Sequence, residues 1–123
     1  MELTSIKPLN NVKVNILHPV TNEKTDIFFN VHGSDSKEYR QGIRDIMAAR
    51  ITSNEAGETS KYFEDDEIQL LIKCTIGFEG ILIDGEVPEF TEEVLTNIFS
   101  EYPFIKTQLD RFIGTKANFF LKD

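Results

Sequence analysis

The chain has no tryptophan, one cysteine, two histidines, two methionines and four prolines in 123 residues, and its basic residues are outnumbered 13 to 21 by acidic ones. Each shortage excludes something. With Cys74 alone there is no intramolecular disulfide and no Cys-based zinc site. A net charge of −8 repels phosphate backbones and anionic lipid over most of the surface, so nucleic acid and membrane are not expected partners. The most apolar stretch, 68–83, is interrupted by Lys73 and Glu79 and is shorter than the roughly 20 residues of a membrane span. The start, Met1-Glu2-Leu3-Thr4-Ser5-Ile6-Lys7-Pro8, has no apolar core of signal-peptide length, and the expected location is the cytosol. No GxxxxGK[ST], GxGxxG or HExxH pattern occurs, so no cofactor or metal is expected.

What is present is enough apolar material to fold. Ile, Leu, Val and Phe make up 39 residues, well above the level of about 20% below which charged chains stay disordered. The length fits one domain.

The apolar residues change period along the chain. Val12, Val14 and Ile16 alternate with polar residues, as do Ile27, Phe29 and Val31 with their neighbours, and the polar stretch 19–25 separates the two runs. A β-hairpin over 12–31 with one apolar face follows, and that face needs a cover because two strands alone are marginal in water. Gly33-Ser34-Asp35-Ser36 then offers several N-cap residues, and Asp35 with Glu38 approximates a capping box for a helix from Lys37 to about Thr52. Its apolar positions are Tyr39, Ile43, Ile46, Met47 and Ile51. A polar, glycine-bearing loop is expected near 53–61.

The acidic run Glu64-Asp65-Asp66-Glu67 fits the positive end of a second helix. Ile68, Leu71, Ile72, Thr75 and Ile76 give that helix one apolar face, which Leu70 and Cys74 widen, so it is expected to be central and to end near Gly77 or Gly80. Asp84-Gly85 is a turn signal. Thr91 is the expected N-cap of a third helix, and Pro103 sits in the first turn of a fourth that Gly114 stops. The fold class is therefore α+β: an N-terminal hairpin followed by about four helices over 35–121, predominantly helical.

Enzyme chemistry finds little to work with. His18 and His32 stand next to Pro19 and Gly33 with no triad or metal spacing, and Cys74 lies in an apolar helix pattern, as a small core residue would. The 64–67 cluster lacks the ligand order of an EF-hand. Two features point instead to protein contacts. Lys37, Arg40 and Arg44 fall at i, i+3 and i+7, forming one basic stripe on an acidic chain; it is either a solvated face or a surface that meets acid on another copy. Phe119 and Phe120 near the C-terminus are either core or anchors for a partner.

The order of residues in the C-terminal half is more specific. Cys74-Thr75-Ile76-Gly77-Phe78-Glu79-Gly80 is followed by Pro88-Glu89-Phe90-Thr91, by Tyr102-Pro103-Phe104-Ile105-Lys106-Thr107-Gln108-Leu109 and by Ala117-Asn118-Phe119-Phe120. This resembles the tail assembly chaperones of long-tailed bacteriophages, in which an aromatic-x-Gly segment leads to a Pro/Phe-Ser/Thr helix start, a Tyr-Pro-aromatic-Ile helix carrying a Gln, and an Asn-Phe or Phe-Phe ending. His18-Pro19-Val20-Thr21-Asn22-Glu23 and Phe29-Asn30-Val31-His32-Gly33-Ser34-Asp35 are similar to the family's hairpin and helix cap. Aromatic positions that the family often fills with Trp are Phe78 and Phe104 here, so the indole donor is absent.

The resemblance implies a binding protein rather than an enzyme. Its partners would be the tape measure protein, held soluble, and the tail tube protein, recruited around it. It implies homo-oligomers in spirals or rings, a place in the host bacterial cytoplasm and absence from the mature virion. Lys37, Arg40 and Arg44 are then candidates for assembly, and Phe104, Phe119 and Phe120 for self or client contacts. A structural virion component, such as a head-tail connector or tail-completion protein, is the alternative.

Overall fold

The computed structural model describes residues 2–55 and 62–120. Two strands, β1 (Asn11–Leu17) and β2 (Lys24–His32), form the hairpin, and β3 (Thr75–Glu79) adds to the free side of β2, giving an antiparallel sheet in the order β1-β2-β3. Four helices accompany it: α1 (Lys37–Glu55), α2 (Tyr62–Cys74), α3 (Glu92–Glu101) and α4 (Pro103–Gly114). The chain is thus α+β and about half helical.

The hairpin has the expected sidedness. Val14, Ile16, Phe29 and Val31 are buried, while Val12 and Ile27 are half-buried against them. Its loop is organised by His18, whose Nδ1 accepts from the backbone N–H of Val20 (3.1 Å) and Thr21 (3.3 Å), while Asn22 takes a positive φ of 63°. Asn15 Nδ2 crosses the hairpin to the carbonyls of Thr25 (2.8 Å) and Ile27 (3.0 Å).

The expected second helix needs correction. It stops at Cys74, and Thr75 to Glu79, read from the sequence as helix running to Gly77 or Gly80, is a strand. Thr75 marks the change: its Oγ1 donates to the Leu71 carbonyl (2.7 Å), satisfying a helix C-terminal acceptor, while its backbone turns to pair opposite Val31. Phe78 then stands opposite Phe29, with ring centroids 5.8 Å apart. Helical spacing of the isoleucines was a local signal, and a non-local pairing with β2 overrides it.

Helix α2 is nonetheless central, touching α1, α3, α4 and β3, with Ile68, Leu71, Ile72 and Cys74 buried. Helix α1 packs on α2, and the approach is close at Gly42, where an added Cβ would come within 2.9 Å of Leu70 Cδ1. Met47, expected on the core face of α1, is 58% exposed, because α1 makes its main contact with a single helix. The cap of α1 is Ser36 rather than Asp35: Ser36 Oγ accepts from Tyr39 N–H (3.1 Å). Of the expected loop, 53–55 continue α1, and 56–61 lie outside the described residues.

Helices α3 and α4 begin where the sequence placed them. Thr91 accepts from Val94 N–H (3.1 Å), and Pro103 opens α4. Leu95, Ile98 and Phe99 of α3 and Ile105, Leu109 and Ile113 of α4 complete the core against the inner face of the sheet.

Candidate interaction surface

The groups that sequence reading considered for catalysis are placed apart. His18 belongs to the hairpin loop, whereas His32 Nδ1 lies 3.1 Å from the Asn10 carbonyl and 3.6 Å from Glu38 Oε2 on the other side of the hairpin. Cys74 is fully buried, and that burial, reinforced by the carboxylates of Glu38 and Asp110, pushes its thiol up to about 12. A thiol so held is a packing group at neutral pH. No cluster of three metal-ligating side chains occurs among the described residues, and no helix among them is long and apolar enough to cross a membrane.

The acidic run at the start of α2 is partly engaged at home. Lys106 Nζ reaches Glu67 Oε2 at 2.6 Å and Asp110 Oδ2 at 3.0 Å, tying α2 to α4. Partial burial disfavours the Lys106 charge, but the two carboxylates outweigh it and raise its pKa above the ordinary value. Asp110 is raised as well, burial outweighing the help of Lys106.

Lys37, Arg40 and Arg44 do share one face. They line an open groove of about 690 Å³ on α1, but the same groove contains Glu38, Asp45 and Lys73. Arg40 is folded back on the start of its own helix, donating to the carbonyls of Ser36 (3.4 Å) and Asp35 (3.3 Å), and Arg44 donates to Gln41 (3.2 Å). Lys73 pairs with Asp45 across the groove at 3.4 Å. The face is therefore of mixed charge, with Lys37 making no ion pair among the described residues.

The three phenylalanines separate. Phe119 is 3% exposed and packs edge-on against Phe112, at 5.5 Å between centroids, so it is core. Phe120 is half-buried. Phe104, also half-buried, sits edge-on to Tyr102 at 6.5 Å and reaches the surface.

Phe104 leads to a surface the sequence did not reveal. After β3 the chain turns at Gly80, φ +77°, where a Cβ would collide with the Asp26 carbonyl. Ile81 is buried, and Ile83 and Glu86 then close a tight turn by exchanging backbone hydrogen bonds of 2.8 and 3.1 Å. Asp84 and Gly85 take the two positive φ values of a type I′ turn, 52° and 82°. This knuckle holds Leu82 67% and Val87 75% exposed. Leu82, Ile83, Tyr102 and Phe104 rim a hollow of about 170 Å³ whose floor includes the buried Ile81, Ile98 and Ile105. From Cys74 to Ile105 the chain carries seven acidic residues and no lysine or arginine, and that charge pattern was the available signal. Which of the apolar residues stay exposed is decided by the tertiary turn and leaves no mark in the sequence.

On the outer sheet face Lys13 pairs with Glu79 at 2.7 Å and lies 5.3 Å from the Phe28 ring centroid, beside a cleft of about 410 Å³ that Asn30 and Ile76 also line. Comparison of the chain with models of protein families, with curated proteins and with solved structures finds no match.

Proposed function

We propose that this protein is a tail assembly chaperone of a long-tailed bacteriophage, acting by reversible binding rather than catalysis. It binds the tape measure protein in the host cytoplasm, keeps that chain soluble, helps recruit tail tube subunits and leaves before the virion is complete. The observation that carries this reading is the residue order from Cys74 to Phe120. The quoted segments fall at successive element boundaries: the α2-to-β3 change, the entry to α3, the start of α4 and the final turn. The α4 glutamine of the motif also has an identifiable task, since Gln108 holds the end of β1. High negative charge suits a protein that must stay soluble while covering an apolar client.

In this proposal the copies associate into a spiral or ring, with Lys37 and Arg44 of one copy meeting acid on the next. Charge reversal at both positions then lowers the mass measured by light scattering, without loss of helical signal.

The test is co-expression with the tape measure protein encoded in the source genome. A soluble complex, with the tape measure insoluble when alone, supports the proposal. Failure to gain solubility removes it, and recovery of the protein from purified virions replaces it with a lasting structural role.

A further inference from the structure

The hollow beside the Ile83–Glu86 turn combines an apolar floor, an exposed apolar rim and charge of one sign. Two of its rim residues have an acidic neighbour in the chain: Asp84 follows Ile83, and Glu101 precedes Tyr102; Asp26, next to Ile27, belongs to the outer face of β2. Asp84 and Glu101 are exposed, and neither pairs with a described cation. The basic neighbour of the lining, Lys106 beside Ile105, is already held by Glu67 and Asp110 on the α2 side. The rim is therefore apolar and uncompensated negative. At about 170 Å³ the hollow falls below the ~300–1,000 Å³ of small-molecule sites, so it suits an anchoring side chain.

We propose that this surface docks a cationic amphipathic segment of a partner chain. One apolar side chain of that segment fills the hollow between Leu82 and Tyr102, and flanking lysine or arginine side chains meet Asp84 and Glu101. Charge complementarity selects this occupant. A second copy related by a two-fold axis would present the same acidic rim, and a head-to-tail copy would present the α1 groove, where Lys37 and Arg44 stand among Glu38 and Asp45 with no apolar side chain in the lining to fill the hollow. If the client is the tape measure protein, this is where it would be held, and in that identification alone the proposal rests on the chaperone reading. The docking itself stands on the geometry and charge of the surface.

The probe is a fluorescein-labelled peptide of leucine and lysine in amphipathic helical register, with a leucine–glutamate peptide of the same register as control, followed by fluorescence anisotropy. The wild-type protein binds the first saturably and not the second. Leu82→Ser/Tyr102→Ala, which leaves the charge intact, weakens binding about tenfold, the scale expected when apolar anchors are removed from a small interface. Asp84→Asn/Glu101→Gln weakens it as well and flattens its salt dependence. Met47→Ser, at an exposed apolar residue on α1, changes nothing.

Undiminished binding by Leu82→Ser/Tyr102→Ala overturns the proposal by leaving charge alone as the cause. Absence of binding overturns it, as does equal affinity for the glutamate peptide. A wild-type dimer in sedimentation that Leu82→Ser dissociates also overturns it, by making a second copy the occupant. None of these peptide results touches the co-expression test, so failure of the surface and failure of the chaperone reading are read separately.

Discussion

Gln108 on α4 grips Leu17 at the end of β1 from both sides: its Oε1 accepts from the Leu17 N–H at 2.8 Å, and its Nε2 donates to the Leu17 carbonyl at 2.9 Å. The two residues are 91 positions apart, and the bond pair falls where the β1–β2 register is irregular, between Asn15 and Leu17. A side-chain amide thus satisfies backbone groups near the end of the ladder and locks the last long helix to the first strand.

Removing that amide should cost more than the two bonds themselves, because the part-buried Leu17 groups are then left without partners. Gln108→Met is expected to lower stability by about 1–3 kcal/mol in urea titration. At this chain length that is roughly 3–6 °C in Tm per kcal/mol. Gln108→Glu keeps the acceptor but sets a carboxylate against the Leu17 carbonyl. It should also destabilise, and less at acid pH, where the protonated carboxyl can donate.

A second prediction concerns Gly33 and Phe119. A Cβ on Gly33 would stand 2.8 Å from Phe119 Cγ and Cδ1, and the Phe119 ring is buried with little freedom to retreat. Gly33→Ala is expected to destabilise by about 1–3 kcal/mol through overpacking, and Phe119→Ala by about 3–5 kcal/mol through the cavity. In Gly33→Ala/Phe119→Leu the smaller side chain makes room for the methyl. The double variant should therefore be more stable than the sum of its single variants, which a double-mutant cycle measures.

Thr91 supplies a third. Its side chain satisfies Val94 N–H at the exposed start of α3, so Thr91→Ala should cost about 0.5–2 kcal/mol by thermal denaturation, and Thr91→Ser should be close to neutral.

Thr91 and Pro103 were legible because helix starts are written in local chemistry: a cap hydroxyl, a fixed proline φ. The hairpin was legible because alternation of period two is strict from Val12 to Ile16 and is broken only by Phe28 from Ile27 to Val31. Strand β3 was not. In Thr75–Glu79 Ile76 and Phe78 alternate with Thr75, Gly77 and Glu79, but five residues are too few for that period to outweigh the helical spacing running on from Ile68, Leu71 and Ile72, and the pairing with β2 that decides lies more than 40 positions away. The cap shifted from Asp35 to Ser36 for a smaller reason, since adjacent cap-competent residues differ only by where the first helical turn closes. The surface at Leu82 and Tyr102 was hidden because an apolar residue carries no label saying whether a neighbour will cover it. The signal that was available there is the base-free acidic run from Cys74 to Ile105, which the sequence reading did not use.

The last prediction follows from Cys74. Burial first, and then the carboxylates of Glu38 and Asp110, hold its thiol near 12 in the folded chain against an ordinary value of 9.0. Above pH 9 the unfolded chain therefore loses this proton while the folded chain keeps it, so fewer protons are bound in the unfolded state and stability falls as pH rises. The contribution is fully present below pH 9 and is lost between 9 and about 12, amounting to about 4 kcal/mol at the upper end. Tyr39, raised by burial, and Lys106, raised by its two carboxylates despite partial burial, add losses of the same sign at the top of that window. Urea midpoints taken across pH 8 to 11 should thus decline steeply for the wild-type protein. Cys74→Ala should start lower, by the cost of a small cavity, and decline less, leaving only the slope due to Tyr39 and Lys106. Parallel curves for the two proteins would show that the thiol ionises as readily in the fold as out of it, contrary to its burial where the end of α2 meets Tyr39 of α1 and Asp110 and Ile113 of α4.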